Sequence, residues 1–391
     1  MVYRRQSGNV RKGYTRRRLP ARRAGRPARP RAVKRTRRAK TPCHCPEELT
    51  PAARFALAQL DPFHPQATGA KIPDSNTMPS IANLSVDQVS CPVATSNFMT
   101  GFAFRPTYNQ AVINATPVDA ATVSWGATVL TNAADRRDLA AIVSAFEGIR
   151  PVAHGVRVSS SLAPTSATGF VHLGLSIESA FGNAAGTWQF PTTVNQMTGL
   201  AHYKRVTLAS LTQSPLTVIN KWIDERAFQY EDPNQVVGIA TTQSDETRNP
   251  FHWSWCFIVV LVEGAPSTSS PLSAEHILLT EALPKKTGIL IGTQAAPNSP
   301  GTMSAVSSMV SDQDFGHTEA NQQNFIQEGL QSFAQGAAVA GEAVYNSVAT
   351  PILQRLGGHA VNMATSYAMR AVMGRGGLPG VQTPNRLSIG R

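Results

Sequence analysis

Apolar and polar residues alternate most sharply in Val123-Ser-Trp125-Gly-Ala127-Thr-Val129 and in Val171-His-Leu173-Gly-Leu175-Ser-Ile177, each of which predicts a strand with one buried face. The run Trp255 to Val262 is too short to span a bilayer and reads as part of a buried strand from Trp253 to Val262. Comparable segments between turn clusters fall at Phe98 to Phe104, Ala111 to Ala115, Val156 to Leu162, Val206 to Leu211, Val236 to Thr241 and Ile277 to Leu283. One helix interrupts them, because Leu139, Ile142, Val143 and Phe146 recur at i, i+3, i+4, i+7 behind Asp135 and Asp138. About eight strands over roughly 200 residues fit an eight-stranded jelly roll better than an immunoglobulin sandwich, so the expected class is mainly β.

The flanks follow other patterns. Pro46 to Gln59 predicts a short helix with Leu49, Phe55, Leu57 and Leu60 as its apolar contacts, and a loop follows it. Beyond Pro284, Gly292 to Ser311 reads as a Gly-, Ser-, Thr- and Pro-rich linker, and Asn321 to Met373 as Ala- and Gln-rich helix. One apolar stripe there runs through Phe325, Leu330, Phe333, Ala337 and Val344; a second runs from Val348 through Ile352, Leu356, Val361, Ala364 and Ala368 to Val372. Such a helix either packs beneath its own domain or partitions into a membrane interface once freed. The expected organisation is an arm over 1–42, a helix and loop over 43–87, the β domain over 88–290, a linker and inner helix over 291–346, and an amphipathic tail over 347–391.

Charge changes the picture at one end only. Of the 36 Lys and Arg, 17 lie in the first 40 residues, where there is no Asp or Glu. They are Arg4, Arg5, Arg11, Lys12, Arg16, Arg17, Arg18, Arg22, Arg23, Arg26, Arg29, Arg31, Lys34, Arg35, Arg37, Arg38 and Lys40. The remaining 19 basic residues face 24 acidic ones, so the rest of the chain is net acidic. A like-charged, Pro-interrupted segment cannot bury enough surface to offset chain entropy, so the arm is expected to be disordered when free and to bind a polyanion such as RNA. It is too charged for a signal peptide. Cys43, Cys45, Cys91 and Cys256 do not form a disulfide framework, and Cys43-His44-Cys45 lacks the second ligand pair of a zinc site.

Several short stretches, in shared order, resemble the coat proteins of alphanodaviruses and noda-like positive-strand RNA viruses. They are Leu60-Asp61-Pro62-Phe63, Lys71-Ile72-Pro73-Asp74, Val156-Arg157-Val158-Ser159-Ser160 leading to Pro164-Thr165-Ser166, and Phe315-Gly316-His317. The resemblance implies a homo-oligomeric icosahedral shell in the virion, assembled in host cytoplasm, with genomic RNA held by the arm. It also implies one self-cleavage, after Asn346 and before Ser347, assisted by the carboxyl of Asp61. The freed peptide 347–391 would then meet a host membrane, although its basic, Gly- and Pro-rich end departs from the family pattern. Calcium between subunits is a further implication; Asp224, Glu225, Glu231 and Asp232 lie in a comparable region, and an exposed acidic loop is the alternative. A host receptor is implied without being specified.

The cleavage chemistry needs no outside nucleophile, since an Asn side-chain nitrogen can attack its own backbone carbonyl carbon while a shielded carboxyl manages the proton. No Gly-Lys-Ser phosphate loop, His-Glu-x-x-His or Gly-x-Ser-x-Gly occurs, so a trans-acting enzyme is not expected. Two other readings stay open: a non-cleaving coat with C-terminal surface protrusions, and a cellular RNA-binding protein with a basic tail.

Overall fold

The computed structural model describes residues 49–93, 95–108, 111–129, 139–177, 190–233 and 254–340. The chain divides into two units, 1–47 and 48–391, and the described residues all belong to the second. The arm, the strand expected at Val236 to Thr241, and everything beyond Ala340 lie outside the described residues.

Eleven strands are present among the described residues. They are β1 (Ile81–Val93), β2 (Thr100–Phe104), β3 (Val112–Pro117), β4 (Val123–Val129), β5 (Phe146–Ser159), β6 (Phe170–Ser176), β7 (Ala201–Thr207), β8 (Leu216–Ile219), β9 (Phe257–Glu263), β10 (Thr268–Pro284) and β11 (Gly316–Thr318). They form two antiparallel sheets with the orders β1-β10-β5-β8-β11 and β4-β3-β2-β9-β6-β7. Without the β3–β4 hairpin and β11, the remaining eight strands, counted in chain order, run 1-8-3-6 and 2-7-4-5. That is the order of a double-sheet jelly roll.

The two sheets bury a core between them from alternate positions: Val89, Cys91 and Val93 of β1, Val156 and Val158 of β5, and Ile258, Val260 and Val262 of β9. The intervening residues of β9, Phe257, Val259 and Leu261, pack on the other face with Trp125, Phe190 and Met197. Burial on both faces is why this strand reads as an unbroken apolar run.

Among the described residues six α-helices accompany the sheets: α1 (Pro51–Leu60), α2 (Leu139–Ala145), α3 (Val194–Thr198), α4 (Leu208–Leu211), α5 (Pro300–Asp312) and α6 (Gln322–Ala340). Helices α1, α5 and α6 cover the outer face of the first sheet, where Phe55, Leu57, Met309, Leu330 and Phe333 join Val152, Ala153 and Leu279. Phe325, Leu330, Phe333 and Ala337 are all buried, as the apolar stripe predicts.

Several boundaries correct the sequence reading. The loop expected to run to residue 87 ends earlier, because the long strand β1 begins at Ile81; its outward Leu84 and Val86 are exposed and so blur its alternation. The strand expected to end at Leu211 stops at Thr207, where the Thr207 hydroxyl accepts from Ser210 N and opens the single turn of α4. The expected linker contains α5, because Ser299 caps the helix and Pro300 sits at its first position. Phe146 opens β5 and does not close α2.

Candidate functional site at Asp61

Helix α1 ends where the extended backbone of Asp61 takes the cap position and its N–H still donates to Leu57 O. The side chain of Asp61 is fully buried. Its Oδ1 accepts from Phe63 N at 3.0 Å and its Oδ2 from Gln322 Nε2 at 2.5 Å, so the first residue of α6 clamps the carboxyl. Gly329 permits that approach, since a Cβ there would stand 2.1 Å from Leu60 Cδ2. On the opposite side, Pro62 rests against Gly155 of β5, and Phe63 lies beneath the guanidinium of Arg157 at 4.2 Å.

Two imidazoles lie within the electrostatic reach of this carboxyl. Burial lowers the pKa of His64 and of His317, and in each case the charge of Asp61 opposes the shift. His317 Nε2 is buried without a hydrogen-bond partner among the described residues, its ring 4.6 Å from that of Phe325. Three stretches distant in sequence therefore converge here: Leu60-Asp61-Pro62-Phe63, Arg157, and Phe315-Gly316-His317. The sequence singled out Asp61 without Gln322 or His64, because only the seating of α6 and the short turn after Asp61 bring those side chains close.

Lys71-Ile72-Pro73-Asp74 has a different role. Lys71 Nζ donates to Ser80 O (2.7 Å), Thr293 O (3.0 Å), Thr293 Oγ1 (2.9 Å) and Gln294 O (2.9 Å). Ile72 N donates to Glu281, and Asp74 pairs with Arg150. This segment fastens the loop before β1 onto the first sheet.

Asn346 and Ser347, like the seventeen basic residues of the arm, lie outside the described residues. Gln322 to Ala340 rises about 27 Å along α6 at 1.5 Å per residue. Six further residues reach roughly 21 Å at most. The C-terminal end of α6 therefore stands farther from the Asp61 of its own chain than six extended residues span.

The four acidic candidates fall in two sequence-adjacent pairs, Asp224-Glu225 and Glu231-Asp232. Exposed Asp224 caps the turn Glu225–Phe228 by accepting from Arg226 N at 2.8 Å. Glu231 exchanges backbone hydrogen bonds with Ile149, and burial followed by the charge of Asp232 raises its carboxyl pKa. Among the described residues no three His, Cys, Asp or Glu side chains converge on a point that would hold a metal.

No protein-family model matches the chain, and no curated protein does. Among solved structures it is similar to the T=1 particles derived from infectious bursal virus, with 9% identity over 70% of this chain and 95% of that one, at a TM-score of 0.48. It is also similar to tobacco necrosis virus (14% identity, 53% and 97% covered, TM-score 0.32) and cocksfoot mottle virus (12% identity, 56% and 100% covered, TM-score 0.28). The jelly-roll fold of this chain is carried by its own strand order and register.

Proposed function

We propose that this chain is the coat protein of a non-enveloped RNA virus, resembling those of alphanodaviruses, whose jelly-roll domains tile a shell around RNA held by the basic arm. The observation that carries the reading is charge segregation: 17 basic and no acidic residues in the first 40, joined to a net acidic remainder containing a jelly roll. A cellular RNA-binding domain would instead be expected to carry basic or aromatic groups on its folded face. Electron microscopy of the purified full-length protein tests the reading. Uniform closed shells that lose most of their RNA when residues 1–40 are deleted support it; absence of shells, or unchanged RNA in the deletion, overturns it.

Maturation in this reading is a single cut. The side-chain nitrogen of Asn346 bonds to its own carbonyl carbon and gives up a proton, the bond from that carbon to Ser347 nitrogen breaks to leave a cyclic imide, and Asp61 passes the proton to the departing amine. Support comes from the complete burial of Asp61 and the donors that fix both of its oxygens. The length of α6 favours a partner copy's Asp61 as the assisting group. Co-assembly of Asp61→Asn with Asn346→Ala chains decides this, because each lacks one half of the reaction. A 45-residue peptide beginning at Ser347 appears only if the carboxyl acts between copies, and full-length chains alone leave cleavage within one chain. Wild-type particles that stay intact remove the cleavage proposal.

Calcium between copies would draw on Asp224, Glu225, Glu231 and Asp232, with each copy giving an incomplete set. Chelator should loosen shells and added calcium restore them; indifference to both removes the proposal.

A further inference from the structure

Between the two sheets, the apolar core is broken by a pair of histidines. His154 on β5 is 0% exposed and His276 on β10 is 1% exposed, with ring centroids 4.7 Å apart. Asn220, just after β8, holds His154 twice: its backbone N donates to His154 O at 2.9 Å, and its Nδ2 lies 2.9 Å from His154 Nδ1.

The other contacts of Asn220 fix the direction of that side-chain bond. Asn220 Oδ1 accepts from Lys221 N at 2.9 Å, and Nδ2 donates to Cys256 O at 2.7 Å. Nδ2 is therefore the amide nitrogen, a donor only, so His154 Nδ1 must be the bare acceptor and its proton sits on Nε2. Among the described residues, His154 Nε2 has no hydrogen-bond partner. Protonating the ring places a hydrogen on Nδ1, donor against donor, with no acceptor to receive it.

Asn220 also sits at the seam joining the sheets. Cys256 N donates to Lys221 O at 2.8 Å and Ile223 N to Ser254 O, which ties the end of β8 in one sheet to the approach to β9 in the other. Displacing the Asn220 amide frees the Cys256 carbonyl at that seam.

We propose that His154, Asn220 and His276 form an acid-sensitive latch between the two sheets, in which protonation of His154 expels the Asn220 side chain and loosens the seam at Cys256. Among the described residues, no hydrogen-bond acceptor meets either ring nitrogen of His154. Asp87 of β1 stands 4.0 Å from Nδ1 of His276, on the far ring. Arg105, after β2, presents its carbonyl to His276 Nε2 at 3.2 Å. The Cys256 thiol is held neutral by burial, its pKa pushed up to about 12, and the Lys221 ammonium turns away to Gln313 O and His202. Burial, followed by the neighbouring His276, holds the pKa of His154 well below the ordinary histidine value.

The sign follows from linkage. A histidine neutral when folded and protonated when unfolded contributes stability above about pH 6.5, and that contribution is lost as pH falls, up to tenfold in the unfolding constant per pH unit. His64, His172, His202 and His317 are also held down by burial, so the slope of the whole protein exceeds that of one group. Substitutions isolate the latch.

The experiment is urea unfolding of the full-length protein between pH 7.5 and 5.0, with His154→Gln and Asn220→Asp beside the wild type. His154→Gln removes the titrating ring, and Asn220→Asp replaces the opposing donor with a carboxylate that accepts from protonated Nδ1. Each variant is expected to flatten the acid slope, by as much as tenfold per pH unit. A wild type with no slope, or equal slopes in all three proteins, overturns the latch. If either variant fails to fold, nitrogen NMR of the wild-type imidazole decides: bare Nδ1 throughout the folded pH range supports it, and protonated Nδ1 with the Asn220 contact intact overturns it.

Discussion

Strands β5 and β10 carry two buried polar clusters built on opposite principles. Arg150 and Glu281 are paired in register and face Asp74, on the side of the sheet that the helices cover. Glu281 accepts from both Nε and Nη2 of Arg150, from Ile72 N and from Ser80 Oγ, while Arg150 also donates to Asp74 and to Phe228 O. Five residues earlier on β10, His276 points into the core beside His154, whose Nε2 has no hydrogen-bond partner among the described residues. Saturated opposite charges make a rigid clamp. An imidazole held neutral by burial makes a joint that a single proton can open. The difference lies in what surrounds each group, since the strands are the same.

The largest test breaks the clamp. Arg150→Met strands Glu281 as an uncompensated buried charge and should cost about 3–5 kcal/mol in urea unfolding, with Arg150→Met/Glu281→Gln recovering more than half. A loss below about 1 kcal/mol would show that the clamp is not holding the sheet. Next is Lys71→Met, which leaves the carbonyls of Ser80, Thr293 and Gln294 without their shared donor. About 2 kcal/mol is expected, with faster amide exchange confined to residues 71–80 and 293–294. Asn220→Ala sharpens the other side: it should cost about 1–2 kcal/mol at pH 7.5 and less at pH 5.5, where the donor conflict with protonated His154 no longer counts. A cost independent of pH contradicts the latch. The smallest effect belongs to a third pair on the same strands, Arg157 and Glu275, 3.3 Å apart and 28% and 39% exposed. Glu275→Gln should change stability by less than about 1 kcal/mol, with the difference shrinking further in salt.

Asp61 shows how far local sequence carries a site. Its place after a predicted helix and before Pro62 was legible, because both are local features. Its burial was not, because that depends on α6 seating against Leu60 over Gly329, more than 260 residues away. His154 and His276 carried no signal at all: one lies beside Gly155 and the other within an apolar strand, 122 positions apart.

The sequence by itself determined the charge segregation of the arm, the β class, the apolar face of α6 and the two-sided burial of β9. These follow from composition and periodicity, which act over a few residues. Tertiary structure alone decided the jelly-roll strand order, the hidden strand β1, the Arg150–Glu281 clamp, and the convergence of Asp61, His317 and Gln322. In each of these the stabilising partner comes from a distant part of the chain, and a residue's neighbours in sequence hold no record of which distant group will supply its charge, its hydrogen bond or its shelter from water.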